Sequence, residues 1–152
     1  MWKKTHHLLN MEIKVKDKCI VCDSLLSFSI REKSLMIPGG QSYWIGKIPV
    51  TECRNCHEVY EDEITVRDYK IKILNQMLDR FRKDVSFNFS GHTCFWVRQS
   101  ILLSREELAE YKDEKAIKAT EQLNEPLSPV LATRLGFFIE KFLSKQMALN
   151  LK

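Results

Sequence analysis

The sequence predicts an α+β chain in three parts: a small N-terminal β unit, a connecting helix and an all-α C-terminal domain. Three observations predict it. Two C-x-x-C pairs, Cys19–Cys22 and Cys53–Cys56, are separated by the residues from Asp23 to Glu52. Between them apolar residues recur at every second position, the period of a half-buried strand. Beyond Glu63 the apolar spacing lengthens to three and four, which is helical.

The chain has 152 residues, of which 44% are hydrophobic, enough for one ordinary core or two small ones. Its net charge of +4 is compatible with nucleic acid without requiring it. Residues 1–60 carry nine Lys/Arg against six Asp/Glu, 61–95 six against six, and 96–152 nine against eight, so the excess sits in the first part. No apolar run approaches the eighteen or so residues of a membrane span, and no signal-peptide core follows Met1 to Lys4. The expectation is a cytoplasmic protein with no membrane partner, a compartment in which thiols stay reduced.

From the N-terminus, Met11, Ile13 and Val15 alternate with charged residues over Leu8 to Lys16, predicting a strand that leads into the first cysteine pair. Leu26, Phe28 and Ile30 predict one arm of a hairpin. The cluster Pro38-Gly39-Gly40-Gln41 predicts its turn, and Tyr43, Ile45, Ile48 and Val50 the returning arm, with Gly46 marking a bulge. Two C-x-x-C turns joined by a hairpin make a tetrahedral zinc site: each turn aims two sulfurs at one point, and Cys19, Cys22, Cys53 and Cys56 complete the shell. A thioredoxin-like redox motif needs only one such pair, at a strand-to-helix junction. The expected unit is a zinc ribbon holding one structural Zn2+. His6 and His7, near the terminus, are not expected as ligands, and His57 is expected to act by hydrogen bonding outside the shell.

Val66, Tyr69, Ile73, Met77 and Phe81, with Leu74 and Leu78, predict a helix from about Glu63 to Lys83. Ser86 to Gly91 reads as a linker anchored by Phe87 and Phe89. His92 and Cys94 form an H-x-C pair, but the glutamate and downstream P-C-x-x-C of a zinc deaminase do not follow. Cys94 is expected as a buried small residue at the start of the next helix. Short helical patterns then follow in quick succession: Trp96, Val97 and Ile101; a capping box at Ser104 and Glu107 followed by Leu108, Ala109 and Tyr111; and Lys115 to Leu123, with apolar contacts expected from Ala116, Ile117, Ala119 and Leu123. Asn124 to Pro129 breaks the pattern, and Val130, Leu131, Leu135, Phe138, Ile139, Phe142 and Leu143 predict a last amphipathic helix. Two short helices joined by a tight turn inside a small helical domain have the layout of a helix-turn-helix.

The segment from Trp96 to Glu110, with Thr120 to Pro129, resembles the Xre-type helix-turn-helix of MqsA-like antitoxins. In that family a YgiT-type zinc ribbon precedes such a domain, and here Ile48-Pro49-Val50 leads into Cys53, Cys56 and Glu58. The resemblance spans about residues 19–140. It implies a zinc ribbon over 1–60, a connecting helix and linker over 61–91, and an Xre-like helix-turn-helix with a dimerisation helix over 92–152. It further implies double-stranded DNA as partner, a palindromic operator bound by a homodimer through the C-terminal domain, repression of the chain's own transcription, and neutralisation of an RNase-like toxin. By position, Arg105 would face DNA phosphate, Lys115, Lys118 and Thr120 would face the groove, and Asn124 and Ser128 would lie in the following loop. The chain departs from the family at Asp113 and Glu125, where glycines are usual, at Glu121, where an arginine is, and at Gln122, where a tryptophan is. A carboxylate aimed at phosphate repels it. Those positions motivate an alternative reading: a zinc-ribbon adaptor for protein interactions, phage- or prophage-derived, with a vestigial helix-turn-helix. No catalytic constellation is present, and a zinc closed by four thiolates is structural, so no enzyme is expected.

Overall fold

The computed structural model describes residues 18–110 and 114–150. The strand expected over Leu8 to Lys16, His6, His7, Tyr111 and Asp113 lie outside the described residues. The elements run β1 (Leu26–Ile37), β2 (Gln41–Cys53), β3 (Val59–Tyr60), α1 (Glu63–Lys83), α2 (Gly91–Ile101), α3 (Arg105–Ala109), α4 (Glu114–Leu123) and α5 (Pro129–Asn150). This is the expected α+β order, a three-stranded sheet β1-β2-β3 followed by helices. Only three residues link β1 to β2, a length that joins antiparallel neighbours and no others. β3 pairs antiparallel with β2, with Thr51 opposite Tyr60 and Glu52 opposite Val59. The chain divides into two compact units: residues up to Lys33 with Ile45–Tyr69, and Ser34–Trp44 with the chain from Lys70 onward.

In the first unit, burial along β2 changes phase at Gly46. Ile45 is buried on one side of it, Ile48 and Val50 on the other, so the odd-numbered row gives way to the even. Gly46 has φ 97°, a conformation costly for any residue with a Cβ and the one a bulge requires. On β1 the alternation is present, but the row carrying Phe28 and Ile30 is the open one: they are 44% and 52% exposed. Arg31 pairs with Glu52, and Lys33 pairs with Glu61 while lying 4.9 Å over the Tyr69 ring. Asp62 starts α1, its carboxylate accepting from the Thr65 amide at 2.7 Å and hydroxyl at 3.0 Å. The helix carries Glu63 in its first turn and Arg80, Arg82 and Lys83 in its last, the order that complements its dipole.

In the second unit, Ile73, Leu74, Met77 and Leu78 of α1 are buried on the row the spacing predicts. The linker's aromatics are anchored as expected: Phe89 is fully buried, 5.2 Å from the Phe81 ring and 5.3 Å from Phe87. α4 packs on both α2 and α3, and α5 packs on the same two helices. The core here includes Val97, Leu108, Ile117, Leu127, Leu135 and Ile139. Two expectations are corrected. Of the apolar residues on α4 only Ile117 is buried; Ala116, Ala119 and Leu123 are exposed, because the position one turn after Ile117 is filled by a buried carboxylate, Glu121. Val130 lies at the exposed start of α5 rather than on its buried row.

Gly91 marks the closest approach of α2 and α4. A Cβ built there would lie 2.0 Å from the carbonyl oxygen of Thr120 and 2.7 Å from its carbon, backbone atoms that cannot swing aside. Gly91→Ala should therefore destabilise the second unit by about 1–3 kcal/mol, the usual range for overpacking, as measured by urea unfolding.

Candidate functional site

Two knuckles of the same construction bring the four cysteines together. In the first, the Asp23 amide donates to the Cys19 carbonyl at 2.9 Å and the Cys19 amide to the Ser24 carbonyl at 2.8 Å. In the second, the His57 amide donates to the Cys53 carbonyl and the Cys53 amide to the Glu58 carbonyl, both at 2.9 Å. Each turn closes on a residue with positive φ, Asp23 at 60° and His57 at 65°. His57 thus serves here through its backbone, closing the turn, rather than through the outer hydrogen bond expected of it. Lys18 bridges to Leu25 across the first knuckle, and β2 and β3 deliver the second.

The four sulfurs all lie within 4.8 Å of one another. Cys22 and Cys53 are 3.4 Å apart and Cys19 and Cys56 3.5 Å, far beyond the roughly 2.05 Å of a disulfide. A tetrahedral ion with metal–sulfur bonds of about 2.3 Å requires sulfurs roughly 3.8 Å apart, so the set fits one such ion. Cys19 and Cys53 are buried and the other two half-buried. The surroundings favour thiolate on the first knuckle. The Ser24 hydroxyl and amide, with Asn55, hold Cys22 down to about 5, and the Tyr60 hydroxyl, 3.2 Å from its sulfur, lowers Cys19. At Cys56 the Glu58 amide pulls downward, but burial and the neighbouring thiols outweigh it and push the group up to about 12. Four sulfurs this close could hold one metal ion. Tyr60 also accepts from the Ile20 amide at 3.3 Å, tying β3 to the first knuckle. Its role has no cue in the C-x-x-C spacing.

The fifth cysteine, Cys94, stands apart from this cluster. It lies in the first turn of α2, fully buried, and burial pushes its thiol up to about 12, the behaviour of a small core residue.

In the helical unit, the capping box forms as expected. Ser104 accepts from the Glu107 amide at 3.0 Å, and Glu107 reaches back to the Ser104 amide at 3.3 Å. Both oxygens of Glu121, which is 3% exposed, lie 2.8 Å from Arg98 Nη2 and 3.2 Å from its Nε. Arg105 Nε donates to Glu121 Oε1 at 2.9 Å, and Arg98 Nη1 to the Leu103 carbonyl at 3.0 Å. One carboxylate thus holds two guanidinium groups and links α2, α3 and α4. Arg134 of α5 donates to the carbonyls of Leu108 at 2.7 Å and Glu107 at 3.0 Å, and pairs with Glu110, closing the end of α3.

Of the residues placed at a DNA surface by resemblance, Lys115 and Lys118 are exposed, three apart on α4, beside exposed Ala119 and Gln122. Arg105 is half-buried and shared with Glu121. Thr120 is half-buried, and its carbonyl accepts from the Glu125 amide at 3.0 Å. Asn124, at φ 53°, accepts from the His92 amide at 2.9 Å in the first turn of α2. Ser128 accepts from the Leu131 amide at 3.3 Å and caps α5. Glu121, expected to point at phosphate, points inward. No described helix is long and apolar enough to cross a membrane. In comparisons with family models, with curated proteins and with solved structures, nothing matches the chain.

Proposed function

We propose that the chain is a two-module DNA-binding regulator of the antitoxin type, with one structural zinc in an N-terminal ribbon and a helix-turn-helix made by α3 and α4. The observation that carries the reading is the inward turn of Glu121. With that carboxylate paired to Arg98 and Arg105, the outer face of α4 presents Lys115, Lys118, Ala119 and Gln122, a surface a phosphate-lined groove would attract. Val130 and Phe137, seven residues apart on one face of α5 and 70% and 61% exposed, support a homodimer that would match two half-sites of a palindromic operator. Capture of an RNase-like toxin by the ribbon follows from the resemblance alone.

Selection of duplexes from a random-sequence pool by the full chain tests this. A palindromic sequence should be enriched. The double variant Lys115→Glu with Lys118→Glu should weaken its binding at least about tenfold and flatten the salt dependence by about four in the log–log slope, two contacts from each protomer of the dimer. No enriched sequence, or an unaffected double variant, overturns the proposal. The adaptor reading has its own support: Ile20, Val21 and Leu25 beside the cysteines are 80%, 67% and 70% exposed, and a groove of about 670 Å³ runs past Leu25, Leu26, Arg54 and Asn55.

A further inference from the structure

Beside the buried carboxylate, a groove of about 380 Å³ opens in the helical unit, lined by Pro38, His92, Phe95, Arg105, Glu121 and Gln122. That size falls in the range of small-molecule sites. The charges on its floor do not balance. Among the described residues Glu121 is the one carboxylate lining it, and both its oxygens are engaged by Arg98. Arg105 spends only its Nε on that carboxylate, so two guanidinium groups face a single negative charge. Among the described residues, no hydrogen-bond acceptor lies against either terminal nitrogen of Arg105, and its side chain is 26% exposed within the groove lining. A planar fork held at one nitrogen and open at two is the geometry that receives an oxyanion bidentately. The Phe95 ring supplies the apolar wall. It is 45% exposed and is steadied by the Arg98 guanidinium 5.7 Å from its centroid, leaving a surface on which a flat ring can lie.

We infer that this groove binds a small molecule that carries both an oxyanion and a flat ring, with the oxyanion on the terminal nitrogens of Arg105 and the ring against Phe95. Glu121 is a positioning residue: it fixes the guanidinium so that its free edge faces the groove. The inference does not depend on DNA binding. Because Arg105 is also the residue that the family resemblance would set against phosphate, a bound anion would compete with DNA there.

The test is titration of the full, zinc-loaded, DNA-free chain with inorganic phosphate and with adenosine 5′-monophosphate, followed by amide shifts and calorimetry. Both probes should shift the amides of His92, Phe95 and Gln122, and the nucleotide should bind about tenfold more tightly, the gain expected of one stacked ring. Arg105→Gln should weaken both probes by tenfold or more. Gln122→Glu places a second carboxylate at the rim on an exposed position where it cannot disturb the core, and should weaken both while leaving the unfolding midpoint unchanged. No binding of either free anion below about 10 mM overturns the inference, as does equal binding by Gln122→Glu in a folded chain. Binding of a short duplex without binding of either free anion also overturns it, and leaves the DNA reading standing. Loss of duplex binding with retained anion binding does the reverse.

Discussion

Chelating the metal from the full chain should abolish the ordered structure of the first unit while the helical half survives. One zinc per chain is expected by elemental analysis. On removal, the amide resonances of residues 19–33 and 45–60 should collapse toward unfolded positions, whereas those of 91–149 persist and most of the far-ultraviolet helical signal remains. The reason is the balance of interior in the two units. Among the described residues the first buries Ile45, Ile48, Val50 and Tyr69 beside the buried cysteines Cys19 and Cys53, too few apolar side chains to offset the entropy of ordering two knuckles and the strands between them. Structural zinc supplies roughly 10–16 kcal/mol in finger-like peptides, and that binding energy is folding energy. Without it, four thiols of which Cys22 favours the anion and Cys56 resists it are left crowded together. Cys53→Ser should lower metal affinity by at least about a hundredfold, since even outer partners of a ligand are worth 10–100-fold. Cys94→Ala should leave the stoichiometry at one, because that thiol stands in the other unit. Intact strand signals after complete chelation would show that the sheet holds without metal.

What could be read in the sequence was what is local or periodic. The hairpin, its turn and the helix from Glu63 follow from apolar spacing, and the capping box needs only Ser104 and Glu107, three residues apart. The four cysteines announce themselves by their spacing. Their closure does not, because it depends on Asp23 and His57 adopting positive φ and on a tyrosine hydroxyl arriving from forty-one residues away. The open face of β1 was hidden for a related reason: alternation fixes that two faces differ, not which one the rest of the chain covers. Asn124 and Ser128 read as loop residues, yet a serine directly before a proline is also the signature of a helix start, and Ser128-Pro129 opens α5 in that way. Glu121 was the least legible. A glutamate in a helix is ordinarily solvated, and its partners lie 23 and 16 residues earlier. The one available cue was its place four residues after Ile117, on the helix row that faces the core.

That carboxylate predicts the largest effect of any substitution in the helical half. Glu121→Ala should destabilise it by about 3–5 kcal/mol in urea unfolding, because Arg98, 5% exposed, would keep its charge with no carboxylate to meet it. Arg105 would suffer less, since it can turn toward water. Glu121→Gln keeps the shape and one acceptor oxygen, so its loss should be smaller, yet still measurable against two cationic partners. The pair variant Arg98→Met with Glu121→Leu removes both buried charges together and should recover much of the loss, since an apolar pair of similar volume needs no partner. It would do so only in part, because Arg98 Nη1 also holds the Leu103 carbonyl in the link between α2 and α3, and that acceptor would be left behind. If Glu121→Ala unfolds within about 1 kcal/mol of the parent, the triad is not what joins α2, α3 and α4, and the outward face of α4 loses the support on which the DNA reading rests. If it unfolds early while the metal content and the knuckle resonances are unchanged, the two units are independent in stability, a metal-held module and a charge-pinned module carried on one chain.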